Sequence, residues 1–137
     1  MEYQPLKLEV VSADKMVMQC DVVNVIARTS EGDIGILPGH EPLMAALVPC
    51  MVEIVVAEGR TEILAIDGGL LAVAQGHVRI LSHEVKLAEE ILLEEARLEA
   101  HDLRHLRSEG GATDEQVHRL HILNAQIRAG EKYQSSH

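Results

Sequence analysis

The sequence predicts an α+β chain: an N-terminal antiparallel β-sandwich over residues 1–84, then a C-terminal antiparallel α-helical hairpin over residues 85–137. Three observations carry this reading. Near Ala88 the apolar pattern changes period, from alternation and short β-branched runs to steps of three and four. All four prolines, Pro5, Pro38, Pro42 and Pro49, precede that change. Two joints that end in glycine, Glu58-Gly59 and Gln75-Gly76, separate strand-like runs in the way hairpin turns do.

Taken in order, residues 6–11 alternate apolar and polar, as a half-buried strand should, and residues 21–27 do so less cleanly. Residues 51–57 and 60–67 read as two strands about Glu58-Gly59; residues 69–74 and 77–82 read as two more about Gln75-Gly76. Val52, Ile54 and Val56 stand opposite Met51 and Val55, so this strand is apolar on both faces and is expected to lie between a core and a second protein surface. Proline cannot donate to a central ladder, so the four prolines are expected at strand ends or in loops. In the second half, Leu92, Ala96, Ala100, Leu103 and Leu106 form one helical stripe, with acids and arginines between them. Gly110-Gly111 stops that helix. Thr113 and Gln116 have the spacing of a capping box for the next one. Val117, Leu120, Asn124 and Ile127, with Leu123 beside them, form the second stripe; Gly130 is expected to end it, and residues 131–137 to fray. Both stripes are narrow. At about 25 cal/mol per Å² their docking is worth only a few kcal/mol, so a hairpin that stays and a hairpin that leaves are both compatible with the pattern.

Composition excludes several classes. Two Tyr, no Phe and no Trp force an aliphatic core and leave almost nothing on which nucleobases could stack. A formal net charge of −10 has the wrong sign for a phosphate backbone or an anionic membrane, so no nucleic-acid partner is expected. The first residues show neither a basic nor an apolar leader segment, and no run approaches the ~20 apolar residues of a membrane span. The expectation is a soluble chain that meets a membrane only through another protein. Cys20 and Cys50 have no CxxC spacing and read as reduced, partly buried thiols.

No catalytic constellation emerges. Ser12, Ser30, Ser82 and Ser108 lie in no nucleophile motif, Cys20 and Cys50 lack a histidine partner, and no phosphate-binding glycine loop is present. His101 and His105 at i, i+4 and His118 and His121 at i, i+3 could converge across a hairpin on zinc. Without a nearby Cys or an HExxH, solvated histidines that titrate near neutrality are the favoured account, and no metal or cofactor is expected. A generic β-sandwich adaptor stays open as an alternative.

The segment Ser30-Glu31-Gly32-Asp33-Ile34-Gly35-Ile36-Leu37-Pro38-Gly39-His40-Glu41-Pro42-Leu43 resembles the signature of the epsilon subunits of F-type ATP synthases, roughly E-G-x-x-G-I-L-P-G-H-x-P-L. Val10 to Ala13, the Asp67-Gly68-Gly69 strand and residues 93–97 are similar to further family segments in the same order. The resemblance implies a non-catalytic part of the central stalk that couples ion translocation to ATP synthesis. It implies a sandwich against the gamma subunit and a hairpin that reaches the alpha and beta catalytic subunits and inhibits hydrolysis when extended. It implies attachment to the cytoplasmic face of a bacterial inner membrane through the complex. Asp33, where the family more often has Glu, and His40 match positions that face the polar loops of the c-ring. Glu94, Arg97 and Arg128 match positions of a regulatory ATP site in some members, but Glu94 stands for Asp, Leu98 for Ala, and Asn124 for a second Arg. The hairpin's seven basic residues are outnumbered by ten acids, which weakens the expected inhibition.

Overall fold

Leucine, isoleucine and valine alternate with polar residues along most strands, and that alternation closes a sheet around an aliphatic core. The computed structural model describes residues 4–136; the leaderless start expected at Met1, Glu2 and Tyr3, and His137 at the end of the expected tail, lie outside the described residues. The strands are β1 (Leu6–Val11), β2 (Met16–Thr29), β3 (Gly32–Ile36), β4 (Leu43–Val56), β5 (Thr61–Ala74), β6 (His77–Leu81) and β7 (Val85–Leu87). A 3₁₀ turn over Ala88–Glu90 leads to α1 (Leu93–Ser108) and α2 (Asp114–Ser136).

The sheet runs β1-β6-β5-β4-β2-β3, and an additional β1–β2 pairing closes it into a flattened barrel. Most neighbours are antiparallel, but β1 pairs parallel with β6, from Lys7 opposite His77 to Val11 opposite Leu81. The expectation of a wholly antiparallel sandwich needs that one correction: β1 fills the gap between β2 and β6, and only one of the two can run against it. Leu6, Leu8, Val10, Val22, Val25, Ile36, Ile54, Leu64, Ile66, Leu71 and Ile80 fill the interior. At the β5–β6 joint, Gln75 and Gly76 have φ of 50° and 80°, the pair of left-handed residues that a two-residue hairpin turn requires.

β4 and β5 are longer than expected and change faces midway. Residues 60–67 and 69–74 form one strand, not two, and β4 begins at Leu43 rather than near residue 51. In β4 the buried positions step from Leu47 to Cys50 and then alternate through Val52, Ile54 and Val56. The extra residue lies at Val48 and Pro49, and Pro49 is therefore inside a strand, at a bulge, where its missing N–H costs least. Across the ladder, pairing passes from Leu47 opposite Gly69 to Pro49 opposite Asp67. Gly68 and Gly69 have φ of 107° and 138°, and a Cβ on Gly69 would collide with the carbonyl of Leu81. Only glycine fits there.

The sheet continues past the expected boundary at 84, because Val85, Lys86 and Leu87 pair with Ile66, Ala65 and Leu64. The helices then pack antiparallel through Ala96, Ala100, Leu120 and Leu123, with Leu103 and Ile127 at the edge. Leu92, expected on the stripe, is 64% exposed; it precedes the helix, and Leu93 is buried in its stead. Gly110 stops α1 at φ 77°. Thr113 and Gln116 form the expected capping box, Thr113 Oγ1 accepting from Gln116 N at 3.1 Å and Gln116 Oε1 from Thr113 N at 2.9 Å. Gly130 does not end α2. It lies buried within the helix, where a Cβ would come 3.1 Å from Leu93 Cδ1, and the expected frayed tail is helical to Ser136. Packing against residues 91–93 outweighs the weak helical propensity of glycine.

Candidate functional site

Two outer surfaces of the barrel and the seam beneath α2 hold the candidate residues. The bulge at Val48-Pro49 divides the outer surface. On the far half, Met51, Ile63, Ala65, Ala88, Ile91, Ala129 and Tyr133 pack together under α2. The second surface expected against Met51 and Val55 is thus supplied at Met51 by the chain's own helix, while Val55 lies outside that cluster. On the near half, Met44, Ala46, Leu70, Ala72 and Leu81 are apolar outward positions of β4, β5 and β6, bordered by the outward Arg79 beside Ala72 and by His77. Met44 is 70% exposed and Leu81 39%. This open apolar face had a signal in the sequence, since residues 43–48 are apolar without a break, but alternation alone does not distinguish a strand apolar on both faces from a buried one.

The glycine- and proline-rich loop extends beyond β3. His40 N–H donates to Leu37 O at 3.0 Å, with Gly39 at φ 85°, which is a tight turn with Pro38 at its second position. His40 Nδ1 lies 2.7 Å from Glu41 O, so the imidazole is fixed along the loop, and Leu37 is 57% exposed beside it. Asp33 stands near the other end of β3, directly across the ladder from Arg28. Arg28 Nε donates to its Oδ1 at 2.8 Å. That hydrogen bond and the charge of Arg28 hold the Asp33 carboxyl below the usual carboxylate range. The structure therefore places His40 at the loop tip and Asp33 about three strand residues away from that loop, roughly 10 Å along β3, and does not bring them together. Arg28 was not anticipated; its signal is the position five residues before Asp33 across a two-residue turn.

Glu94 and Arg97 do come together. Arg97 donates to Glu94 Oε1 at 2.6 Å and to Glu131 Oε2 at 2.9 Å, which joins α1 to α2. Arg128 engages a different region. It lines the seam with Arg28, Pro49, Cys50, Met51, His121 and Asn124 around a cavity of about 340 Å³. So the three residues matched to a nucleotide site are split between the hairpin's own ion pair and the seam. The four histidines do not converge: His105 pairs with Glu109 at 2.8 Å, and His121 borders the seam. Among the described residues no three His, Cys, Asp or Glu side chains gather closely enough to share a metal ion. Cys20 is half-buried and Cys50 buried, both are free thiols, and burial raises the pKa of each.

A closed barrel with one face under a hairpin and another apolar face left open is built to join an assembly. The family model described as the beta-sandwich domain of the ATP synthase delta/epsilon chain matches residues 5–88. An ATP synthase epsilon chain from Cutibacterium acnes is 43% identical over 137 residues, covering 94% of each chain. One from Nocardia farcinica is 33% identical over 132 residues, covering 96% of this chain and 94% of the relative. A chain in the cryo-EM structure of the Euglena gracilis mitochondrial ATP synthase, solved with OSCP, F1 and c-ring, superposes with a TM-score of 0.71 at 26% identity, covering 99% of this chain and 84% of that one. The chain belongs to the ATP synthase delta/epsilon chain family, as an epsilon subunit of the F-type complex. That complex is membrane-associated; among the described residues no helix is long and apolar enough to cross a membrane.

Proposed function

We propose that the chain is a non-catalytic part of the central stalk, with the open face of the barrel seated on the gamma subunit and the hairpin acting as a movable brake on ATP hydrolysis. The open face carries the reading. Met44, Ala46, Leu70, Ala72 and Leu81 form a contiguous apolar patch bordered by Arg79 and outside the cluster under α2, and such patches on a folded chain mark protein contacts. The loop that bears His40, stiffened by Pro38 and Pro42, is the second contact and meets the polar loops of the c-ring; Asp33, at the other end of β3, is not part of that loop contact. Exposed polar contacts of this type set register more than affinity.

The brake reading draws on how α2 is held. In this structure the hairpin lies down on the barrel, where Met51, Ile63 and Ala65 from the strands pack with Ala129 and Tyr133 of α2 in a patch built largely of small side chains. A patch of small side chains suits an element with two resting places. The hairpin's excess of acids argues for mild inhibition when it meets the catalytic alpha and beta subunits. ATP as a regulatory ligand has less support, because Glu94, Arg97 and Arg128 are divided as described. The complex would sit at the cytoplasmic face of its membrane.

The test is ATP hydrolysis by the purified complex with the full chain and with a chain ending after Glu90, which keeps β7 in its sheet. Faster hydrolysis on truncation, with gamma still co-purifying, is the expected result. An unchanged rate rejects the brake, and loss of gamma rejects the division of labour between barrel and hairpin.

A further inference from the structure

The seam between α2 and the barrel has a charge pattern that the family resemblance does not account for. Its apolar part is made largely of small side chains, with Ala65 and Ala88 facing Ala129. At its border are two acids on the barrel and two bases on α2. Glu53 Oε1 lies 3.9 Å from Lys132 Nζ, and the Glu53 side chain is three-quarters covered. One helical turn earlier, Arg128 lines a cavity of about 140 Å³ together with Arg28, Asp33, Cys50 and Glu53.

We propose that Asp33 belongs to an ionic latch that holds α2 on the barrel, in which Asp33, oriented by Arg28, faces Arg128, and Glu53 faces Lys132. The geometry supports this in three ways. Arg28 and Asp33 are ladder partners, so their 2.8 Å hydrogen bond fixes the carboxylate at the seam rather than at the loop tip. The Arg28 hydrogen bond and charge do most to favour the charged form of Asp33 over desolvation, and Arg128, across the shared cavity, adds the smallest contribution in the same direction. And Arg128 and Lys132 sit on one face of α2, in a chain whose net charge is −10, so basic groups that meet barrel acids are a local exception to the overall repulsion. Asp33 nevertheless keeps 63% of its side chain exposed. A cation presented to the seam would compete with Arg128 for the same carboxylate and loosen the hairpin. This rests on the mobile-hairpin reading above.

Position 51 supplies the readout, because Met51 packs on the outer face of β4 beneath α2 and lines the seam cavities with Arg128, whereas Cys50 belongs to the barrel core. In the full-length isolated chain carrying Cys20→Ser, Cys50→Ala and Met51→Cys, the rate of maleimide labelling at position 51 reports how often α2 lifts. At low salt, Asp33→Asn should raise that rate about two- to fivefold, the range an exposed ion pair supports. Arg128→Gln should do the same, and the double variant should label no faster than either single one. In ~1 M salt, where the screening length is about 3 Å, the variants should converge with the parent. Unchanged labelling in Asp33→Asn overturns the latch, as do additive effects of the two substitutions or differences that persist in high salt. If labelling responds as stated while truncation after Glu90 leaves hydrolysis unaltered, the latch stands and the brake falls. If truncation accelerates hydrolysis while Asp33→Asn labels like the parent, the latch alone falls.

Discussion

Single residues decide two of the structure's less obvious features. Gly69 has φ of 138° and its missing Cβ faces the carbonyl of Leu81, so Gly69→Ala meets both a strained backbone and a steric collision. The expected loss is about 2–4 kcal/mol in urea unfolding of the isolated chain. Beside it, Asp67 Oδ1 accepts from Ser82 Oγ at 2.7 Å and from Glu84 N at 3.0 Å, which pins the chain where β6 hands over to β7. The second feature is a pairing between helices. Arg119 donates to both carboxylate oxygens of Glu99, at 2.7 and 3.1 Å, and this hydrogen bonding lowers the Glu99 pKa. A pKa lower in the folded than in the unfolded chain means stabilisation that is present above the ordinary glutamate range and is lost as pH falls through the folded value. Helical circular dichroism in urea should therefore show Glu99→Gln less stable than the parent at pH 6, with the gap narrowing as pH falls below the ordinary glutamate range. A gap that is constant with pH would assign the loss to packing instead.

At the level of elements, the placement of Gly130 in mid-helix sets how closely α2 approaches the segment that enters α1. A Cβ there would stand 3.1 Å from Leu93 Cδ1 and 3.5 Å from Ile91 Cγ2. In Gly130→Ala the gain in helix propensity, about 1 kcal/mol, works against a squeeze on a flexible leucine tip, and the two should nearly cancel. Gly130→Val has no such balance. It should destabilise the folded chain by about 1–3 kcal/mol in the same urea experiment, and stability equal to the parent would show that the interface yields freely. Gly130 is also where reading the sequence misled most. Glycine after an apolar stripe usually ends a helix, and nothing local reveals that Leu93 and Ile91 come to lie against it. The same limit explains Leu92 and Leu93: period alone cannot decide which of two adjacent leucines faces inward. By contrast, the Thr113–Gln116 box, the Gly110 stop and the Gln75-Gly76 turn were legible because their chemistry is contained within a few residues. The bulge at Val48-Pro49 was not, since it exists only in register with Gly68-Gly69 some 20 residues on. Among the candidate site residues, His40 fell on a loop as expected. Asp33 did not share that loop, because its ladder partner Arg28 was invisible without the β2–β3 register.

For the whole molecule, the bulge has a wider effect: the same two long strands offer one face to the hairpin and leave another open. Met44→Asp puts a charge at the centre of the open face, where its side chain is already exposed, so the isolated chain should keep its thermal stability while its affinity for the gamma subunit falls at least about tenfold. Gamma binding at parental strength would move the interface elsewhere on the barrel. The helical interface is a separate matter. Its buried residues form a cluster apart from the barrel core, and the patch beneath α2 is a third.

Because β1 bonds to β2 on one side and β6 on the other, no long strand of the barrel depends on a helix to complete its ladder. The barrel can therefore shed its cover and stay a rigid peg, exposing a few aliphatic side chains rather than a broken sheet. The brake proposed above, with torque carried in either setting, requires that independence, and a single short strand supplies it by bridging both neighbours.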